Sequence, residues 1–159
     1  MYWIKRKIWQ IKNLIKWFPV IWNQYDFDES YAIEVFIFQL NKIADFLDSD
    51  KACTVSAKAN ASCIRKTTKL LQDVMDEKFA MEYQNNFKEC YGEVKFKFES
   101  TDNPKLNQLK WKFPTIDGMT EEELDKIYTK MFHESQAKQE KAHNLAWRLV
   151  ANHIRGWWD

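Results

Sequence analysis

The chain is poor in the two residues that most often interrupt regular structure, with three glycines and three prolines among its 159 residues. A sheet-rich fold with many tight turns needs more of both, so their scarcity favours long helices. No glycine-rich phosphate loop is present. The length is that of one domain, and we expect residues 1–159 to form a single, mainly α domain. The predicted architecture is a bundle of about four helices with a small antiparallel β-hairpin insertion.

Residues that carry chemistry are also scarce. Cys53, Cys63 and Cys90 lack the spacing of metal ligands, and their odd number is typical of reduced thiols in a cytosolic protein. No serine or cysteine lies in a recognisable nucleophile motif. Glu140 and His143 have the i, i+3 spacing of di-metal carboxylate bundles, but the second pair that such a site needs is missing. We therefore expect no catalytic residues, no metal and no cofactor.

The sequence also lacks an excess of charge and a clean apolar run. Its formal net charge is +1, so no overall field points to nucleic acid. The most apolar stretch contains Glu34, Lys42 and Asp45, and a charge at the centre of a bilayer costs roughly 2.5–3.5 kcal/mol. We expect no membrane span. We also expect no signal peptide, because lysines and tryptophans break the apolar run near the start.

That apolar stretch, residues 25–47, is predicted to be the helix around which the chain is organised. A helix that is apolar on most sides is normally enclosed by its neighbours, so we expect this one to be buried almost all round. Asp26, Asp28 or Ser30 is expected to cap its start. The predicted core face is Ile33, Phe36, Ile37, Leu40, Ile43, Ala44 and Leu47, with Val35, Phe38 and Phe46 on a second apolar side.

Residues 2–18 are predicted to form a basic, tryptophan-rich amphipathic helix. Pro19 disfavours helical geometry at the residue before it, so the helix should end or kink at Phe18. Three interpretations stay open: a scaffold helix with solvated lysines, a helix on a protein or nucleic-acid surface, or a helix on an anionic membrane. The predicted apolar face is Ile4, Ile8, Ile11, Ile15 and Phe18. The cations, with no acidic residue before Asp26, are Lys5, Arg6, Lys7, Lys12 and Lys16.

A third helix is predicted from about Val55 to Tyr83, with a basic strip at Arg65, Lys66 and Lys69. Residues 92–114 then change character, because apolar and charged side chains alternate with the period of a half-buried strand. We predict a hairpin there whose apolar face covers the helices. The predicted turn is at Asn103-Pro104.

The last helix is predicted to begin with a capping box, in which Thr120 caps the first turn and Glu123 reaches back. No glycine or proline interrupts the residues that follow, so residues 120–155 are expected to form one long helix rather than two. Gly156 is the predicted C-terminal cap.

Tryptophans are concentrated near both ends of the sequence. The predicted arrangement is an aromatic clasp in which the terminal helices pack together, with Arg148 and Arg155 stacked on the rings. The alternative is an exposed aromatic patch for a partner or for a flat ligand such as a base. The residues concerned are Trp3, Trp9, Trp17 and Trp22 at one end and Trp147, Trp157 and Trp158 at the other.

Three passages, residues 22–40, residues 56–83 and the terminal WWD, resemble a group of small, mostly uncharacterised helical proteins of tailed bacteriophages. The shared pattern is a tryptophan, an acidic-aromatic-acidic turn, a tyrosine before an apolar helix, a helix rich in alanine, lysine and leucine, and a final WWD. The group often has an arginine where Phe27 stands, so that arginine has no counterpart here. The resemblance implies a viral origin and a location in the host cytoplasm, but no activity. The matching positions are Trp22, Asp26, Phe27, Asp28, Tyr31, Leu70, Leu71, Trp157, Trp158 and Asp159.

These observations favour a non-enzymatic phage accessory protein that binds a host protein, with inhibition of a host defence system as one version. The second hypothesis is a small-nucleotide binder, and in one version of it the pocket lies between two copies of the chain. The third is a nucleic-acid binder that uses Lys5, Arg6, Lys12 and Lys16 together with the strip at Arg65, Lys66 and Lys69. The candidate ligand- or partner-binding residues are Trp22, Tyr25, Asp26, Asp28, Tyr31, Arg155, Trp157, Trp158 and Asp159.

Overall fold

The computed structural model describes residues 2–22, 29–102 and 105–157. This part of the chain consists of helices and one two-stranded antiparallel hairpin, which confirms the predicted mainly α class. The helices are α1 (Tyr2–Ile21), α2 (Glu29–Leu47), α3 (Ala57–Met75), α4 (Glu82–Tyr91) and α5 (Glu121–His153), the strands are β1 (Lys95–Ser100) and β2 (Asn107–Lys112), and a 3₁₀ turn spans Ile154–Trp157.

The chain divides into two compact units. The first unit runs up to Met75 and resumes at Leu145, and the second is Asp76–Asn144. Each unit has an apolar core of its own.

The core of the first unit lies between α2 and α3, which pack along each other. Small residues line the contact and let the two backbones approach closely. Within this interface the buried hydroxyl of Thr68 donates a hydrogen bond of 3.0 Å to the side-chain oxygen of Asn41. The bond satisfies a polar group that would be costly to bury alone. The core residues are Ile37, Leu40, Ala44, Leu47, Ala57, Ala61, Ile64, Leu71, Ala146, Val150 and Trp157.

The prediction that α2 is buried almost all round is wrong. Its fully buried residues are Ile37, Leu40, Ala44 and Leu47, which form one stripe, while Phe46 is 55% exposed. The neighbours of α2 bury its core face fully and its other sides only in part. The caps predicted at Asp26 and Asp28 lie outside the described residues, and Ser30 lies inside the helix rather than before it.

The core of the second unit is a cluster of aromatic rings around Tyr128 of α5. The ring of Phe87 lies 5.0 Å from that of Tyr128, edge to face at 89°, and the ring of Tyr83 lies 5.1 Å away. Phe113, which follows β2, completes the cluster at 5.7 Å. Edge-to-face pairs of this kind each add about 0.5–1.5 kcal/mol to the burial of the rings.

The third helix predicted from Val55 to Tyr83 is in fact two helices. The first, α3, ends at Met75, and α4 begins at Glu82. Glu77 adopts a positive φ of 50°, a left-handed backbone conformation that a right-handed α-helix does not contain, so a single helix cannot continue through it. The described residues therefore contain five α-helices, one more than the sequence predicted.

The hairpin forms where the alternation predicts it. Phe96 pairs with Trp111 and Phe98 with Leu109, which places these four side chains on one face of the ribbon. That face covers the helices only in part: Trp111 reaches the ring of Tyr128 at 5.5 Å, whereas Phe98 is 71% exposed. The predicted turn at 103–104 lies outside the described residues.

The start of α5 confirms the predicted capping box. The backbone N–H of Thr120 donates to Glu123 Oε2 at 2.9 Å, and the backbone N–H of Glu123 donates to Thr120 Oγ1 at 3.3 Å. The Thr120 hydroxyl also donates to Glu123 Oε2, at 2.9 Å, and the bonds that the Thr120 N–H and hydroxyl donate to this carboxylate lower the pKa of Glu123 below its usual value. The helix then runs unbroken to His153, as predicted.

The end of α5 differs from the prediction. Gly156 does not cap the helix in a left-handed conformation but lies inside the 3₁₀ turn. Its carbonyl accepts a hydrogen bond of 2.9 Å from the side-chain amide of Asn60 on α3. This bond holds the turn against α3, and Trp157, 1% exposed, fills the core beneath it.

Candidate binding surface

The most exposed apolar side chains of the described residues are concentrated on α1. None of the residues of this helix whose burial is described is fully buried, and its packing partner among the described elements is α2. A helix that contributes nothing to a core but keeps an apolar face is typical of a surface that binds something else.

A small part of α1 attaches it to α2. Trp17 packs edge-on against Phe38, with ring centroids 4.9 Å apart. The amino group of Lys42 lies 4.9 Å from the centroid of each of these rings, so a cation is shared by both π faces. Asn13, Trp17 and Val20 are half-buried. At 3.6 residues per turn these three side chains fall within about 60° of the helix circumference, and they define the inward face of α1.

The predicted apolar face of α1 points the other way. Its side chains are between 48% and 64% exposed. They fall within about 80° of the circumference, well away from the inward face. We call this set the outward stripe; it consists of Ile4, Ile8, Ile11, Ile15 and Phe18.

Of the two outcomes predicted at Phe18, an end or a kink of the helix, the first is wrong, because α1 does not end there. It continues through Pro19 to Ile21, and the backbone N–H of Trp22 donates a hydrogen bond of 3.0 Å to the carbonyl of Phe18. A proline inside a helix removes one backbone hydrogen bond, because it has no N–H to donate. The bond from Trp22 to Phe18 spans Pro19 and keeps the last turn helical, and Val20 in that turn is half-buried. The helix therefore continues for nearly another turn beyond the last residue of the outward stripe.

The predicted aromatic clasp does not form within the described part of the chain. Trp3, Trp9 and Trp22 are all exposed, and Trp22, the residue after α1, packs on Phe18 with ring centroids 4.6 Å apart. Trp157 is instead buried in the core between α2 and α3. Because it is only 1% exposed, its side chain cannot make the predicted direct contact with a partner. Trp147 stacks on Phe36 at 6.2 Å.

The cations of α1 border the outward stripe. Lys7 lies along one side of it, and Lys5, Lys12 and Lys16 lie along the other, from their spacing at 3.6 residues per turn. All four are exposed, as is Arg6. The segment from residue 2 to residue 22 contains no acidic residue. The outward face of α1 is therefore both apolar and positively charged.

The predicted basic strip on α3 is only partly available. Arg65 is engaged by Asp45 at 3.0 Å and by Asp48 at 3.4 Å. Lys66 and Lys69 are exposed. A nucleic-acid surface that relied on all three cations would have to share Arg65 with these aspartates.

The structure does not bring the predicted ligand-binding residues to one place. Tyr31 lines a hollow next to Pro19 and Glu34, whereas Trp157 lines a different hollow next to Lys42 and Phe46. Arg155 is exposed. The remaining candidates, Tyr25, Asp26, Asp28, Trp158 and Asp159, lie outside the described residues.

Sequence reasoning missed the role of Lys42 and the direction of the outward stripe. No sequence pattern near Trp17 or near Lys42 predicts their contact, because the two residues lie on different helices. The sequence did contain one signal, the charge imbalance of α1. All of its charged residues are basic, and they lie on a helix that also has a complete apolar face.

None of the described helices combines the length and hydropathy needed to cross a bilayer. In the same residues, no three histidine, cysteine, aspartate or glutamate side chains are grouped so that they could hold a metal ion. Comparison with family models, curated proteins and solved structures finds no match for this chain. The resemblance to tailed-phage proteins stays a prediction, and the function is inferred from the geometry of α1.

Proposed function

We propose that this protein acts by binding rather than by catalysis, and that it holds its partner on the outward stripe of α1. The observation that carries the proposal is the exposure of five large apolar side chains in one row, on a helix attached by its other side. Contiguous apolar patches are rare on surfaces that face only water, and they mark sites of interaction.

The free energy available from this surface is large. Covering a fully exposed isoleucine or phenylalanine contributes roughly 1.5–3 kcal/mol, and the stripe leaves about half or more of each such side chain in water. Because α1 is already attached through Trp17, a partner can cover the stripe without displacing the helix from α2.

The resemblance to phage proteins suggests which partner this is. In that interpretation the chain is a viral accessory protein that binds a host protein, and in one version the binding inhibits a host defence system. The nucleotide alternative has less support, because Tyr31 and Trp157 line separate hollows and Glu34 beside Tyr31 would repel a phosphate. The nucleic-acid alternative accounts for the cations of α1 but leaves the outward stripe in water.

The test compares two double variants of the full chain in a bacterial extract. Ile11→Gln/Ile15→Gln removes the centre of the outward stripe, and Val55→Gln/Leu106→Gln removes two exposed apolar residues elsewhere. Both should unfold at the temperature of the parent, since all four side chains are exposed and glutamine is a good helix former. The parent and the control are expected to elute with larger species in size exclusion, and the stripe variant as the lone chain.

Elution of the parent as the lone chain, together with a failure to bind lipid vesicles, would contradict the proposal. Equal elution of the stripe variant and the parent with larger species would also contradict it, because the contact would then lie elsewhere.

A further inference from the structure

We propose that the outward stripe of α1 lies on an anionic lipid bilayer, with the helix axis parallel to the membrane plane. This inference rests on the proposed function, because it names the partner of the same surface. It follows from three features of α1: the sign of its charges, the position of those charges beside the stripe, and the tryptophans near both ends of the stripe.

The charges of α1 are of one sign along its whole length. Five cations and no acid occur between residues 2 and 22, although the chain as a whole is close to neutral. No described carboxylate forms an ion pair with Lys5, Arg6, Lys7, Lys12 or Lys16. A partner that complements this face must therefore be anionic.

The cations lie where an interfacial helix needs them. Lys7 borders one side of the stripe, and Lys5, Lys12 and Lys16 border the other. A lysine in that position can lay its methylene stem along apolar surface while its ammonium group reaches the headgroups. A 20-residue helix is about 30 Å long, and the stripe follows most of that length, as in helices that lie in the boundary between headgroups and acyl chains.

Exposed tryptophans lie near both ends of the outward stripe. Trp3, next to Ile4, and Trp22, whose ring packs on Phe18, are each 69% exposed. Trp9 falls closer to the inward face of the helix and does not border the stripe. The indole ring has an apolar body and one polar N–H, and it is enriched at the level of lipid headgroups for that reason.

Other occupants fit fewer of these features. A phosphate backbone would use the cations but leave the outward stripe in water. A second copy of the chain would cover the stripe but would bring the lysines that border one stripe close to those that border the other. A bilayer with anionic headgroups takes the cations, the stripe and the tryptophans together.

The experiment measures sedimentation of the full chain with two kinds of vesicle, one of phosphatidylglycerol mixed with phosphatidylcholine and one of phosphatidylcholine alone. Strong partitioning into the anionic vesicles and weak partitioning into the neutral ones is expected. Ile11→Gln/Ile15→Gln should weaken partitioning roughly a hundredfold. Lys12→Gln/Lys16→Gln should weaken it roughly thirtyfold, since each cation near an anionic surface contributes roughly fivefold.

The matched control for charge is Lys66→Gln/Lys69→Gln, which removes two exposed lysines from α3 and should leave partitioning unchanged. An equal loss in this control would show a general effect of net charge and would overturn the assignment to α1. Binding that survives in high salt at a reduced level is expected, because the stripe still contributes when the charges are screened.

The failure of this inference can be told apart from the failure of the proposed function. If the chain ignores anionic vesicles but its association in bacterial extract still depends on Ile11 and Ile15, the partner is a protein and the lipid inference fails alone. If neither association occurs, both fail. Binding to duplex DNA that is unaffected by Ile11→Gln/Ile15→Gln, without vesicle binding, would also overturn the lipid assignment.

Discussion

Substitution of Trp17 by alanine should release α1 from α2 while leaving the core between α2 and α3 intact. Trp17 is the large side chain through which α1 is attached, since its ring meets Phe38 at 4.9 Å and Lys42 lies at 4.9 Å from both rings. No described residue of α1 belongs to the buried core. The change should therefore act locally rather than on the whole unit.

The magnitude follows from the two contacts that are lost. An edge-to-face aromatic pair contributes about 0.5–1.5 kcal/mol beyond burial, and a half-exposed cation–π contact adds about 0.5–1 kcal/mol. Losing both Trp17 contacts should weaken the attachment of α1 by about 1–2.5 kcal/mol, which is roughly a five- to seventyfold rise in its opening equilibrium.

Hydrogen exchange measures this opening segment by segment. Amides of α1 in Trp17→Ala should exchange roughly five to seventy times faster than in the parent, while amides around Ile64 in α3 keep their rates. Trp9→Ala is the matched control, because Trp9 is an exposed tryptophan of the same helix. Unchanged exchange in α1, or equal acceleration in α3, would refute the reasoning.

Three further predictions concern the two cores and the start of α5. Ile64→Ala, at a fully buried position, should lower the free energy of unfolding by about 2–5 kcal/mol in a denaturant titration, and a loss below 1 kcal/mol would contradict the packing. Thr120→Ala removes the cap of α5 and should cost about 1 kcal/mol in the same measurement, whereas Thr120→Ser should cost much less. Burial, together with a hydrogen bond to Tyr83, raises the pKa of Tyr128 well above 10. The unfolded chain then ionises this tyrosine first, so stability should fall as the pH rises above 10, and Tyr128→Phe should remove that part of the pH dependence.

The elements that the sequence predicted correctly are those set by neighbouring residues. Apolar and charged side chains alternate on both sides of residues 101–106, and this alternation predicts the two strands of a hairpin. Only an extended chain places Phe96 and Phe98 on one face. The capping box needs only Thr120 and Glu123, three residues apart, and the long helix after it needs only the absence of glycine and proline.

The features that could not be predicted depend on contacts between distant parts of the chain. Glu77 carries no sequence signal for a left-handed backbone, yet it separates α3 from α4. Gly156 looks like a cap, but the hydrogen bond from Asn60 holds it in a 3₁₀ turn. The outward stripe was visible as a face of α1, but a stripe can point into a core or away from one. Trp17 and Lys42 decide that direction, through a contact that the sequence does not announce.

The central claim is that the outward stripe of α1 faces water in the isolated chain. The most direct measurement is the relaxation of isoleucine methyl resonances by a soluble gadolinium chelate in dilute protein. Methyl groups of Ile8, Ile11 and Ile15 should broaden strongly, while those of the buried Ile37 and Ile64 should not. Protection of the α1 methyl groups equal to that of Ile64 would contradict the account, because the stripe would then be covered by the chain itself.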